Sequence, residues 1–210
     1  MEKKPFKEHR ITRSCDKELK PYGKYRPYLE KDFRNRCCYC NMSAELITSP
    51  FHVDHFIPKK VFEGKKDYLL TQYDNLMWSC PKCNMSKGDS YEGDLENDDS
   101  ITNELFYNPV EVDYNDIFYR NKYGQIRSDD PKGQEMIKKL KLYRTIHSAA
   151  WILERLEKTT QALDEMIKKE ADEDKKKVLE KASRVIAVEC VKMEPIFRTI
   201  YREKKFEEPN

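Results

Sequence analysis

The sequence predicts an α+β fold: a metal-fastened α/β core followed by a mainly helical C-terminal region. Three observations carry that prediction. Two cysteine pairs, Cys37-x-x-Cys40 and Cys80-x-x-Cys83, stand far apart in the chain with the spacing that presents two sulfurs to one tetrahedral ion. Between them, "ITSPFHVDHFIP" alternates β-branched and aromatic residues, with Pro50 and Pro58 as natural limits of a strand. From Asp130 onward, Ile137, Leu140, Ile146, Ala150, Leu153 and Leu156 recur at helical spacing.

Taken in order, residues 1–26 are basic, contain Pro and Gly, and read as an N-terminal arm with little regular structure. "RPYLEKDFRNR" reads as a short helix with Pro27 in its first turn. Residues 27–95 form the expected core, in which the strand is followed by "YDNLMWSCPKCNMSKGD". There Pro81 suits the first position of a helix that Gly88 ends. Residues 96–130 read as an acidic connector whose apolar clusters form a hairpin closing at Lys122–Gly124. Residues 131–210 are helical, opened by Asp130-Pro131 as cap and first turn, and broken near "EADEDKKK" and again at Pro195.

Charged residues make up 37% of the chain and hydrophobic ones 38%, but 13 Tyr and 9 Phe supply enough apolar surface to argue against disorder. No run of 18 apolar residues is present, so no membrane span is expected. The opening "MEKKPFKEHR" lacks the apolar segment of a signal peptide, which predicts a cytoplasmic protein. Net charge is only +2 but unevenly spread. Residues 1–40 carry 12 Lys/Arg against 6 Asp/Glu, whereas residues 89–116 carry 10 Asp/Glu and no basic residue. A basic arm beside an acidic segment suits a polyanionic ligand; two solvated surfaces are the plainer alternative.

In a reducing compartment the clustered cysteines call for something other than disulfides. Structural Zn²⁺ held by Cys37, Cys40, Cys80 and Cys83 fits, and such a site can supply on the order of 10 kcal/mol of folding free energy. Cys38 competes with Cys40 as a ligand, and spacing favours Cys40. A redox Cys-x-x-Cys is the competing reading of a single pair, but two pairs flanking an Asp-His element weaken it. Cys15 and Cys190 read as ordinary thiols.

"HVDHFIPKK" (52–60), "YDNLMWSCPKCNMSKGD" (73–89) and the knuckle "CCYCN" (37–41) together resemble the HNH, or ββα-metal, endonuclease family. The resemblance covers about residues 35–95 closely and implies metal-dependent hydrolysis of a DNA phosphodiester. His55 titrates near neutral pH and is the expected general base. Asp54 precedes it on the strand, points to the other side of the pleat, and offers a hard carboxylate oxygen to a divalent ion. Asn84, on the helix beginning at the second Cys pair, adds an amide oxygen. One carboxylate, one amide and waters suit Mg²⁺, with Mn²⁺ as a substitute.

Asp54 and Asn84 match the family's ligand positions, which makes this an H-N-N variant poorly suited to Ni²⁺ or Zn²⁺ at the catalytic site. Asn75 matches the family's middle Asn, a residue that orients the loop and holds the base. Lys87 reads as a phosphate contact or a solvated surface residue. His52 shares the strand face of Asp54; it either approaches metal or phosphate or is a hydrogen-bonded strand histidine. His9 and His147 receive no role.

The segment after the core resembles the small hairpin and helices of many standalone bacterial and phage-related members. Its apolar stripe is expected to be core, with docking of a twin subunit or partner protein as the alternative. Family members serve in restriction, mobile elements and anti-phage defence, some with an ATPase partner, including Septu- and retron-associated ones. This chain lacks the H-x-E-H form associated with those members. The alternatives to a DNA endonuclease are an RNA-directed nuclease, a non-catalytic zinc-knuckle module that grips nucleic acid, and a nuclease silent until triggered by a partner or phage.

Overall fold

The computed structural model describes residues 2–97 and 100–202. In chain order its elements are β1 (Lys4–Pro5), α1 (Arg26–Asp32), β2 (His52–His55), α2 (Lys59–Phe62), β3 (Leu76–Ser79), α3 (Pro81–Lys87), α4 (Tyr114–Ile117), β4 (Tyr119–Arg120), β5 (Ile126–Arg127), α5 (Pro131–Lys139), α6 (Thr145–Lys169) and α7 (Glu173–Arg202). Strands β1, β4 and β5 form one small sheet in that order, and β2 pairs with β3 in another. The chain divides into two compact units. The first comprises Met1–Lys122 with Ile126–Tyr143, the second Tyr123–Gln125 with Arg144–Asn210.

In the first unit, β2 and β3 run antiparallel with His52 opposite Ser79 and His55 opposite Leu76. All four residues of β3 are buried, so this strand is the floor on which the site is built. Helix α3 follows directly. Pro81 occupies its first turn, where a missing N–H costs nothing, and Gly88 ends it at φ +50°. The expected order strand, strand, helix is present. Leu29 of α1, Phe33, Phe51, Phe56 and Trp78 are almost wholly buried and supply the apolar mass around it.

The segment read as a basic arm is indeed poor in regular structure, but it is tied down. Phe6 and Ile11 are buried, and Lys4–Pro5 pairs with Tyr119–Arg120. The expected hairpin forms from β4 and β5, with Gly124 in the left-handed region. Asp130 caps α5 by accepting from the Gly133 backbone N–H at 2.6 Å, with Pro131 in the first turn.

The second unit is dominated by α6 packed along α7, with Ile146, Ala150 and Leu153 of the expected stripe buried. The break expected near "EADEDKKK" falls at residues 170–172, and the rest of that charged stretch forms the first turns of α7. Pro195, expected to break the helix, lies inside α7 instead. Proline's fixed φ is itself helical, so the helix loses one donor and continues. Val178, Val185, Val188 and Val191 of α7 are exposed. Among the described residues no helix is long and apolar enough to cross a membrane.

Candidate active site and metal centres

The zinc ligands expected from the sequence come together. The sulfurs of Cys37, Cys40, Cys80 and Cys83 all lie within 4.8 Å of one another, and all four residues are buried. The first pair sits on a tight loop in which Asn41, at φ +61°, donates its backbone N–H to the Cys37 carbonyl. The second pair sits at the start of α3, where the Cys80 sulfur accepts from the Cys83 backbone N–H. Burial pushes the Cys40 thiol well up. For Cys37 burial acts the same way, but hydrogen bonds from the surrounding thiols win and hold it well below its ordinary value. A buried, closed set of four soft sulfur donors within tetrahedral reach of one ion fits Zn²⁺. Cys38 stays outside the cluster, and its backbone N–H donates to the Trp78 carbonyl of β3 instead.

The second group of residues lines an open cleft of about 360 Å³, whose walls include Asp54, His55, Lys59 and Asn84. His55 is buried, and its Nε2 lies 3.0 Å from the Leu70 carbonyl. A carbonyl only accepts, so this contact puts the proton on Nε2 and leaves Nδ1 with its lone pair. Burial lowers the His55 pKa to about 4, with Lys59 and Lys87 acting in the same direction and the Leu70 hydrogen bond opposing. The Tyr22 ring stands edge-on to the imidazole at 4.9 Å, and Phe62 lies 5.8 Å away. These rings supply the desolvation, and the imidazole is held neutral.

Asn75 is fully buried, and its side chain is spent on the loop after β2. Its Oδ1 accepts from the Ile57 N–H at 2.8 Å, while Nδ2 donates to the carbonyls of Ile57 and Leu69. It therefore fixes both the chain leaving His55 and the residue preceding Leu70, whose carbonyl holds the imidazole.

Asp54 and His55 both line the cleft although strand alternation gives them opposite faces; His55 is the last residue of β2, where the chain leaves the pleat. Each Asp54 oxygen has a buried donor: Tyr39 Oη to Oδ2 at 2.8 Å and Lys87 Nζ to Oδ1 at 3.2 Å. Burial raises the Asp54 pKa, opposed by the Lys87 charge and by both hydrogen bonds. A carboxylate carries about four lone-pair sites, so two donors leave acceptor capacity. Asn84 Nδ2 lies 2.8 Å from His52 Nδ1. The amide nitrogen is the donor, His52 accepts, and Asn84 Oδ1 is left as the free hard oxygen. His52 thus resolves as a hydrogen-bonded strand histidine that orients Asn84.

Lys87 corrects the sequence reading. It is neither solvated nor aimed at a phosphate: it is 1% exposed, paired to Asp54, and donates to the His55 carbonyl at 2.7 Å. A lysine stem can run inward as easily as outward from the last turn of a short helix, and spacing from Asn84 does not distinguish them. Lys59, exposed at the rim and donating to Tyr22 Oη at 2.8 Å, is the cation that remains at the cleft. Tyr39, Tyr22 and the Leu70 carbonyl were not legible as site groups. The one signal was the position of Tyr39 inside the Cys37–Cys40 knuckle.

Residues 37–90 match the family model described as HNH endonuclease, a span that holds both Cys pairs, β2, β3 and α3. This stretch of the chain is an HNH domain. Over 135 residues the chain is 28% identical to the Septu protein PtuB of Bacillus mycoides (strain KBAB4). That match takes in 55% of this chain and 45% of the relative, so the chain spans less than half the length of that protein. No solved structure gives a significant match.

Proposed function

We propose that the protein is a divalent-metal-dependent HNH endonuclease that hydrolyses phosphodiester bonds in DNA and serves anti-phage defence. The observation that carries the reading is the neutral His55, with Nε2 engaged by the Leu70 carbonyl, lining one cleft with Asp54 and Asn84. A binding module has no use for a histidine held neutral beside two hard oxygen donors. The similarity to a Septu protein supports the defence role although the H-x-E-H form is missing.

In this reading Asp54 and Asn84 Oδ1 hold Mg²⁺ or Mn²⁺, since a carboxylate and an amide oxygen suit hard cations. The cation supplies charge neutralisation at the scissile phosphate and the leaving oxygen. His55 Nδ1 takes a proton from water as its oxygen attacks phosphorus; the P–O bond to the leaving oxygen then breaks, and solvent returns a proton to that oxygen. Asn75 holds the loop that positions the base. His52 holds the Asn84 amide nitrogen, which leaves the oxygen for the cation. Lys59 at the rim receives phosphate oxygens. The four cysteines hold structural Zn²⁺. A partner protein, such as a defence-system ATPase, or a second copy docks through the C-terminal helices, and the protein works in the cytoplasm.

Plasmid DNA incubated with purified protein and Mn²⁺ or Mg²⁺ is the test. Wild type is expected to nick or degrade it. His55→Ala should reduce the rate by roughly 10²–10⁴, the usual contribution of a general base, while DNA binding in a shift assay persists. Equal cleavage by the two proteins overturns the assignment. An RNA substrate in the same assay decides between DNA and RNA.

A further inference from the structure

The two metal centres are joined by one side chain. Tyr39 lies inside the Cys37-x-x-Cys40 knuckle, is 0% exposed, and donates its hydroxyl to Asp54 Oδ2 at 2.8 Å. The knuckle is also fixed to β3, because Cys38 N–H donates to the Trp78 carbonyl at 2.9 Å. Asp54 faces Met77 across the same β-pair. A cation gripped by the cysteines therefore sets the height of Tyr39 above the strand that carries Asp54. The hydroxyl cannot turn to water, since its ring is sealed in the core and its oxygen is buried against the carboxylate.

We infer that Tyr39 is a positioning residue through which the cysteine-bound ion orients the Asp54 carboxylate for the second, hard cation. The inference rests on the proposed role of Asp54 as a ligand. Its physical content is that groups behind a metal ligand fix the ligand's orientation, and their loss commonly costs roughly 10- to 100-fold in metal affinity. Coupling between two bound ions is reciprocal, so each centre should report occupancy of the other.

The full chain carrying Tyr39→Phe is compared with wild type. Zinc content should stay at one ion per chain and the melt should stay cooperative at a lower temperature, since a buried carboxylate loses one donor, while Mn²⁺ affinity, read by electron paramagnetic resonance, falls about tenfold or more. In an Asp54→Asn background the same substitution should produce no further loss. A Tyr39→Phe protein with full zinc content and wild-type Mn²⁺ affinity overturns the inference. A second arm needs no variant: with Co²⁺ in the cysteine site, saturating Mg²⁺ should perturb the cobalt d–d absorption of wild type. An unchanged spectrum overturns the inference even where Tyr39→Phe does not fold. If wild type binds no Mn²⁺ and cuts nothing, the nuclease reading has failed instead, and the two outcomes are distinct.

Discussion

The cysteine cluster and the cleft use opposite chemistry within one small ββα unit. The cluster is soft, complete and closed: four buried sulfurs leave no position for substrate. The cleft is hard, incomplete and open. Its carboxylate is already hydrogen-bonded, its amide nitrogen is held by His52, and its imidazole is kept neutral. Four protein donors suit an ion that holds the fold, and two suit an ion that must still accept water and phosphate. The difference teaches that α3 carries a residue of each, Cys83 of the sulfur cluster and, beside it, Asn84, the oxygen donor proposed for the hard cation.

The largest effect expected from this contrast is at the cysteines. Removing Zn²⁺ with a strong chelator should unfold the first unit, because a site of this kind contributes on the order of 10 kcal/mol. Circular dichroism follows the loss, and removal of Mg²⁺ alone should leave the melt nearly unchanged. Chelation of zinc without a change in melting temperature would break the comparison.

A middle-sized effect tests the cleft. Lys87→Met removes the partner of a buried carboxylate and should cost about 3–5 kcal/mol of stability, read from denaturant unfolding. Part of that loss should return with added Mn²⁺, and more than in wild type, because the cation replaces the missing charge on Asp54. Stabilisation by Mn²⁺ that is the same in both proteins would show that the ion does not bind at Asp54.

The smallest effect is with pH. His55 titrates at about 4 when folded against an ordinary 6.5, so the unfolded chain takes up its proton first. Its contribution to stability is therefore full above about 6.5 and shrinks as the pH falls toward 4. His9 shifts the same way through burial, so His55→Ala should reduce this acid sensitivity without abolishing it. The rate of DNA cleavage should hold from neutral pH to about 5 and drop as the pH nears 4. A midpoint near 6.5 would mean that Tyr22 and Phe62 do not desolvate the base.

Much of the first unit was legible because its signals are local. Cys spacing, strand alternation, Pro81 and Gly88 each act over a few residues, and together they placed β2, α3 and the four sulfurs, whereas β3 was implied only by the family resemblance. Asn75 was legible as an orienting residue through the family resemblance, but its three bonds to Ile57 and Leu69 were not. Lys87 and Tyr39 were hidden because both act through long-range contacts with Asp54, and neither contact leaves a trace in spacing. Pro195 misled because proline costs a helix one hydrogen bond but does not forbid it.

The Asn75 side chain has a further consequence for how the protein can be altered. It grips Ile57 at one end and Leu69 at the other, so the chain between them is a closed excursion from the site. Phe62 belongs to the surroundings of His55, but Glu63–Tyr68 turns at Gly64, where the backbone N–H donates to Asp67 Oδ1. A Cβ at Gly64 would meet nothing within 4 Å, although its φ of +75° favours glycine. This turn is therefore a graft point: residues inserted beside Gly64 extend into solvent, and His55, clamped on both sides, keeps its place. New loops can be tried there without disturbing the cleft.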